Sequence, residues 1–290
     1  MVKTLSDLYL EARKVFLAQE DQQTASLLAR NLLCHITGKS QEAVIADRQM
    51  YATDAQCRQM EADVARILAG EPLAYVLGEW EFYGMTLSVD RNVLIPRDDT
   101  CAVTALAIRQ ALFLESAPRI LDLCTGSGCI GLAIAARVKD ARVTLADISR
   151  QALAVAKKNI VDHHMTSHVS CVTADALGKP AAFLGKFDMI VSNPPYITTR
   201  EMEALERSVK DYEPHMALWG GTDGLNFYRS IAWQYRNCLK PGGYLCFEFG
   251  DGQGDDVCEI LTGAGFTIRQ RVKDYNQIER AVIAQYCRED

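Results

Sequence analysis

Among the ten cysteines no C-x-x-C pair occurs, and none of the spacings suits a zinc site. Most sit in apolar segments such as LLCHI and YLCFEF, the pattern of reduced, buried thiols in a cytosolic protein. No apolar run approaches the roughly 20 residues a bilayer crossing needs. The opening stretch MVKTLSDLYLEARK is charged and amphipathic rather than a signal peptide, so a cytoplasmic location is expected. A basic excess is also lacking. The net charge of −6 argues against non-specific attraction to a polyphosphate backbone. There is neither an internal repeat nor a low-complexity tract. What remains is a chain of 290 residues, 49% hydrophobic and 23% charged. That is the composition of a globular protein large enough for two domains.

Residues 1–70 predict a small helical bundle. Leu5, Leu8, Tyr9, Ala12, Val15 and Phe16 recur at helical spacing, as do Ala25, Leu28, Leu32, Leu33 and Ile36 ahead of a stop at Gly38. A short helix is expected from Ser40 and a longer one from about Thr53 to Gly70. Residues 71–96 read as a linker carrying a β-hairpin, with Gly84-Met85 as a two-residue type II′ loop. Tyr75, Trp80, Phe82 and Tyr83 would pack that hairpin. From residue 97 to 290 strands and helices alternate. Strands are expected at 119–123, 142–147, 168–172, 187–192 and 243–249, with two more in FTIRQRV and RAVIAQY. Helices are expected at 128–138, 149–162, 223–238 and 253–263. This alternation predicts an α/β domain whose mostly parallel sheet is covered on both faces. The least regular stretch, 198–222, is long enough to be a functional loop.

DLCTGSGCIGLAIA runs from a strand through glycines into a helix. Gly126 and Gly128 allow a sharp turn and close ligand approach, and the helix start presents free N–H groups. No lysine follows, which excludes the ATP-type phosphate loop. Asp122 lies inside the end of its strand. Asp147 ends the next strand, where a carboxylate can accept both hydroxyls of a ribose. A dinucleotide and a nucleoside without phosphate both remain possible at this point.

SNPPYI, following the apolar FDMIV, decides between them. Prolines end a strand, but a strand end needs neither Asn193 nor Tyr196. An amide or ring amino nitrogen is a poor nucleophile because its lone pair is delocalised. Two acceptors aimed at its N–H bonds hold it and turn the lone pair toward a methyl donor such as S-adenosylmethionine. The Asn193 side-chain oxygen and the Pro194 carbonyl can be that pair, with Pro195 fixing the carbonyl and Tyr196 offering a flat face. Methyl transfer is therefore favoured over hydride transfer.

The chain resembles class-I S-adenosylmethionine-dependent methyltransferases, and more closely the release-factor glutamine N5-methyltransferases of the PrmC/HemK family. The resemblance is carried by GEPLAYVLGEWEFYG, VLIPRDDT, DLCTGSG, ADIS, NPPYI, YEPHMALWGGTDGLNFYR and LKPGGYLCFEFG. It implies a Rossmann-like seven-stranded sheet and, as substrate, the glutamine of the Gly-Gly-Gln tripeptide in class-I peptide release factors. The side chain of that glutamine would enter between Asn193, Pro194, Pro195 and Tyr196. Cofactor contacts would fall on Cys124, Thr125, Gly126, Ser127, Gly128, Asp147, Ala176 and Asn193, with Asp122 beside them. The helical domain would grip the release factor, and the enzyme is expected to be a monomer without a metal. Three positions depart from the family pattern. Cys124 stands where Gly is usual, Asp98 replaces a proline, and Ala176 occupies the place of a large aromatic.

The same motif serves DNA adenine or cytosine amino-methyltransferases, but these call for a basic cleft. A binding module that merely kept the fold has no need of an intact NPPY. His163, His164 and His168 read as solvated imidazoles near a helix end. Glu248 could be buried near the substrate or merely line the sheet edge, and the second is the expectation.

Overall fold

A computed structural model describes residues 2–114 and 117–287. It divides the chain into two compact units, one running to Gly78 and including Arg207–Tyr212, the other holding the remainder.

In the first unit the caps set the helices. Thr4 and Asp7 form a capping box at the start of α1 (Leu5–Phe16), and Asp21 caps α2 (Gln22–Thr37), which stops at Gly38 with φ +63°. Ser40 caps α3 (Gln41–Ala46), and Thr53 with Gln56 caps α4 (Asp54–Leu68). A fifth helix, α5 (Leu73–Leu77), follows Pro72. The apolar faces read from the sequence meet in one core around Leu8, Phe16, Leu28, Leu32, Met60 and Val76.

The second unit opens on a hairpin, β1 (Glu79–Phe82) and β2 (Met85–Ser88). Its loop is Tyr83-Gly84, one residue earlier than expected, because Phe82 pairs with Met85 and both are buried. The two loop residues have φ of +51° and +75°, the pattern of a type I′ turn rather than type II′. Arg137 supports the turn, lying 4.3 Å over the Tyr83 ring and donating to its carbonyl.

After α6 (Thr100–Ala111) the chain alternates through β3 (Arg119–Leu123), α7 (Cys129–Arg137), β4 (Arg142–Asp147), α8 (Arg150–Asp162), β5 (Val169–Thr173) and β6 (Phe187–Ser192). It continues through α9 (Thr199–Ala204), α10 (Arg207–Lys210, in the first unit), α11 (Asn226–Gln234), β7 (Leu239–Glu248), α12 (Gly254–Gly263), β8 (Phe266–Lys273) and β9 (Glu279–Tyr286). The seven-stranded sheet has the order β5-β4-β3-β6-β7-β9-β8. β9 alone runs antiparallel to both its neighbours; the rest, apart from β8 against β9, pair in parallel. Helices cover both faces over two cores, one with Leu106, Ile130 and Leu145, the other with Tyr228, Phe247 and Phe249.

Strand order reverses between β3 and β6. That switch point opens a crevice at the carboxyl ends of the strands. The glycine loop leaves β3 there and Asn193 leaves β6 there. Ser192 Oγ donates to the Leu123 carbonyl at 2.6 Å, tying the two strand ends together. Among the described residues no helix is long and apolar enough to cross a membrane.

Candidate active site

β3 is buried along Ile120–Leu123, so Asp122 is carried into the interior and is 0% exposed. Its Oδ2 accepts from Thr125 Oγ1 at 2.6 Å and from the Gly131 N–H at 2.9 Å, pinning both ends of the glycine loop. Burial drives its pKa up to about 7 against those two hydrogen bonds. Oδ1 of Asp122 and Oγ of Ser127 are buried with no partner among the described residues. Gly126 and Gly128 have φ of +55° and +87°, and Cys124 has +62°, a left-handed conformation unusual for a residue with a side chain.

Asp147 ends β4 beside that loop. Its Oδ2 accepts from the Gly126 N–H and its Oδ1 from the Ser149 N–H, each at 2.9 Å. Burial nonetheless raises its pKa. β6 delivers Asn193 to the same edge, where its Nδ2 donates to Thr100 Oγ1 at 3.3 Å. The next turn is locked from outside: the Ile197 N–H donates to the Leu218 carbonyl and the Gly220 N–H to the Ile197 carbonyl, each at 2.9 Å, and Gln253 Nε2 donates to the Tyr196 carbonyl at 3.0 Å. A Cβ on Gly220 would stand 2.6 Å from the Pro195 carbonyl oxygen, so this packing requires glycine.

These elements surround a cavity of about 280 Å³. Cys124, Thr125, Gly126, Ser127, Asp147, Ala176, Asn193 and Pro195 all lie on its wall. Four other residues singled out from the sequence do not. Asp122 and Gly128 stand behind the loop, the buried Pro194 and half-buried Tyr196 beside Asn193. The charged residues on the wall are Arg97, Asp147 and Asp175. Arg97 is paired with the buried Glu213, whose Oε2 also accepts from the Ile95 N–H at 3.1 Å. A wall with two acids and one neutralised cation suits a cationic nucleoside better than a pyrophosphate. The orphaned Ser127 oxygen, the open space at Gly126 and the Asp147 carboxylate fit S-adenosylmethionine.

The residues matched by known families fall on both units. The Methyltransferase small domain family matches residues 103–217, and the PrmC N-terminal domain family matches residues 9–78. A release factor glutamine methyltransferase of Chlorobaculum tepidum is 38% identical over 281 residues, 94% of each chain. The chain belongs to the release factor glutamine methyltransferase family. Another member, from Clostridium acetobutylicum, is 37% identical over 253 residues, covering 87% of this chain and 88% of its own. A methyltransferase structure from Pyrococcus furiosus superposes with a TM-score of 0.52 at 19% identity, covering 77% of this chain and 98% of that one; it shows the shared fold.

Several residues of this family site are not evident from sequence reasoning. Gly131 completes G-x-G-x-x-G with Gly126 and Gly128, a spacing that could have marked it. Phe227 and Leu177 join Ala176 on the wall and supply apolar surface where the family pattern has a large aromatic; nothing local signals Phe227. Glu248 requires correction. β7 lies inside the sheet between β6 and β9, so Glu248 does not line an edge but is 1% exposed and set against Thr100 and Asn193. A lone acid in the apolar run YLCFEF was its signal.

Proposed function

We infer that this chain methylates class-I peptide release factors, transferring a methyl group from S-adenosylmethionine to the side-chain amide nitrogen (N5) of the glutamine in their Gly-Gly-Gln tripeptide. One observation carries the reading: in a chain of this family, the glycine loop and Asn193 open on one cavity at the sheet's switch point. Thr125, Gly126, Ser127, Asp147, Ala176 and Cys124 would hold the methyl donor, with Asp122 fixing their loop from behind. When bound, that donor supplies a methyl group on a positively charged sulfur.

The protein's own task is to prepare the acceptor. Asn193 commits its Nδ2 to Thr100, which leaves Oδ1 to accept one N–H of the substrate amide. The Pro194 carbonyl, its direction set by the two consecutive prolines, accepts the other. Gripped this way, the nitrogen gains electron density and its lone pair points at the donor. Tyr196, fixed through its carbonyl by Gln253, packs beside the planar amide. The helical unit matched by the PrmC N-terminal domain family would bind the release factor away from the tripeptide.

Purified protein incubated with labelled methyl donor and either a class-I release factor or duplex DNA tests this assignment. Label on the release factor, lost when its tripeptide glutamine is replaced, is the expected result. Label on DNA alone would refute it.

A further inference from the structure

The geometry points to Glu248 as a positioning residue that, with Thr100, holds the Asn193 amide in the flip presenting Oδ1 to the substrate nitrogen. This rests on the methyl-transfer reading above. A primary amide is nearly symmetric in shape, with a donor end and an acceptor end. Turned over, Asn193 would meet the substrate's N–H with its own N–H, and the grip would become a repulsion. Nothing within Asn-Pro-Pro-Tyr selects the correct flip.

The selection comes from behind. Glu248 ends β7, Thr100 begins α6, and both are within 2% of full burial. Asn193 Nδ2 donates to Thr100 Oγ1 at 3.3 Å, and the parallel register of β6 and β7, with Ser192 opposite Phe247, sets Glu248 beside Asn193. The reversed flip would set Oδ1 against that carboxyl. Glu248 Oε2 has no partner among the described residues, so the acid is retained at a cost in burial that packing does not explain.

The other groups facing Glu248 are Asp99 and Cys101 of the α6 end, Cys129 of α7, Tyr196, Tyr228 of α11 and Arg280 of β9. Burial, opposed by Thr100 and Arg280, pushes Glu248 up to about 8. Ionised, it only accepts hydrogen bonds and enforces the flip. Protonated, it can donate to Oδ1 and tolerate the reverse. Turnover should therefore climb as pH rises through this range.

Methyl transfer to a class-I release factor is measured for native protein, Glu248→Gln, Glu248→Ala, Thr100→Val, Thr100→Ser and Asn193→Ala. Glu248→Gln should lower kcat by about 10- to 100-fold, the scale seen when a partner orienting a site residue is lost. KM should stay within about 3-fold, and the rise of kcat with pH should vanish. Thr100→Val should behave likewise, while Thr100→Ser retains activity. Asn193→Ala should lose on the order of 100-fold or more. Adding Glu248→Ala to it should cost nothing further, since the two act as one unit. Native kcat and an unchanged pH profile in Glu248→Gln, or a further loss in the double variant, overturns the role of Glu248 alone. A native protein that labels no release factor overturns the methyl-transfer reading and this one with it.

Discussion

Gly131→Ala should destabilise the larger unit, although the same exchange inside a helix ordinarily gains about 1 kcal/mol. Gly131 lies in α7 with no unusual backbone angle, so conformation alone would favour alanine. Its surroundings reverse the sign. A Cβ there would stand 2.2 Å from Leu145 Cδ2, 3.0 Å from Asp122 Oδ2 and 3.1 Å from Val143 Cγ1, where ordinary contact begins at 3.4 Å. Leu145 is fully buried between β4 and the helix and has nowhere to go. Forcing a methyl group into such packing costs about 1–3 kcal/mol, and the short approach places this site at the upper end. Displacing Asp122 also weakens its bonds from Thr125 and the Gly131 N–H, each worth about 1 kcal/mol or more. After the helix gain is subtracted, the net loss is about 2–3 kcal/mol. Thermal unfolding followed by circular dichroism, with calorimetric titration of S-adenosylhomocysteine, measures both consequences. Gly263→Ala serves as control, because Gly263 is also helical and a Cβ there meets nothing within 4 Å. A Gly131→Ala protein as stable as native, with unchanged ligand affinity, would refute the idea that this close approach sets the glycine loop.

Asp147→Ala should weaken binding of the methyl donor by about 10- to 100-fold while the fold survives, as expected for loss of charged hydrogen bonds; calorimetry reads this directly. Asp122 and Glu248 titrate near 7 and 8 when folded and near 4 when unfolded, so the folded state binds more protons between these limits. Their contribution to stability must then fall as pH rises from about 4 to 8, and Glu248→Gln should flatten that decline in pH-dependent unfolding. Cys124→Gly should change stability by less than about 1 kcal/mol, because relief of a left-handed φ is offset by greater freedom of the unfolded chain. Cys124→Val, which keeps the strain and adds a branch, should cost more than about 2 kcal/mol in the same unfolding measurement.

Strands of the larger unit were legible because parallel strands buried on both faces read as unbroken apolar runs, as RILDL and FDMIV do. α6 gave no such sign. Val103, Thr104, Leu106, Ala107 and Ile108 are buried around most of its circumference, which erases the amphipathic period. The 198–222 stretch reads as a loop because α9 and α10 span only 6 and 4 residues, too few for a period to show. In the hairpin the glycine marked the turn but not its register, which the pairing of Phe82 with Met85 decides. Site residues followed the same division. Those at strand ends, from Asp122 to Asp147 and Asn193, were readable by position along the chain. Pairs such as Arg97 with Glu213, 116 residues apart, or Thr100 with Asn193, 93 apart, exist only once the sheet brings them together.

The charges around the cavity explain why such an acidic site is useful. Asp147 and Asp175 face the space; Asp122 and Glu248, whose burial favours the neutral carboxyl, stand behind it. The cation on the wall, Arg97, spends its charge on Glu213. The remaining field from Asp147 and Asp175 is negative. A pyrophosphate would be repelled by it, and a sulfonium attracted. Once the methyl group has left, the sulfur is neutral and that attraction is gone, so the field that would hold the donor would also release the spent one. Burial raises the pKa values of Asp122 and Asp147, so keeping both ionised there carries a cost. A bound cation would offset that cost, which would couple donor binding to the stability of the glycine loop.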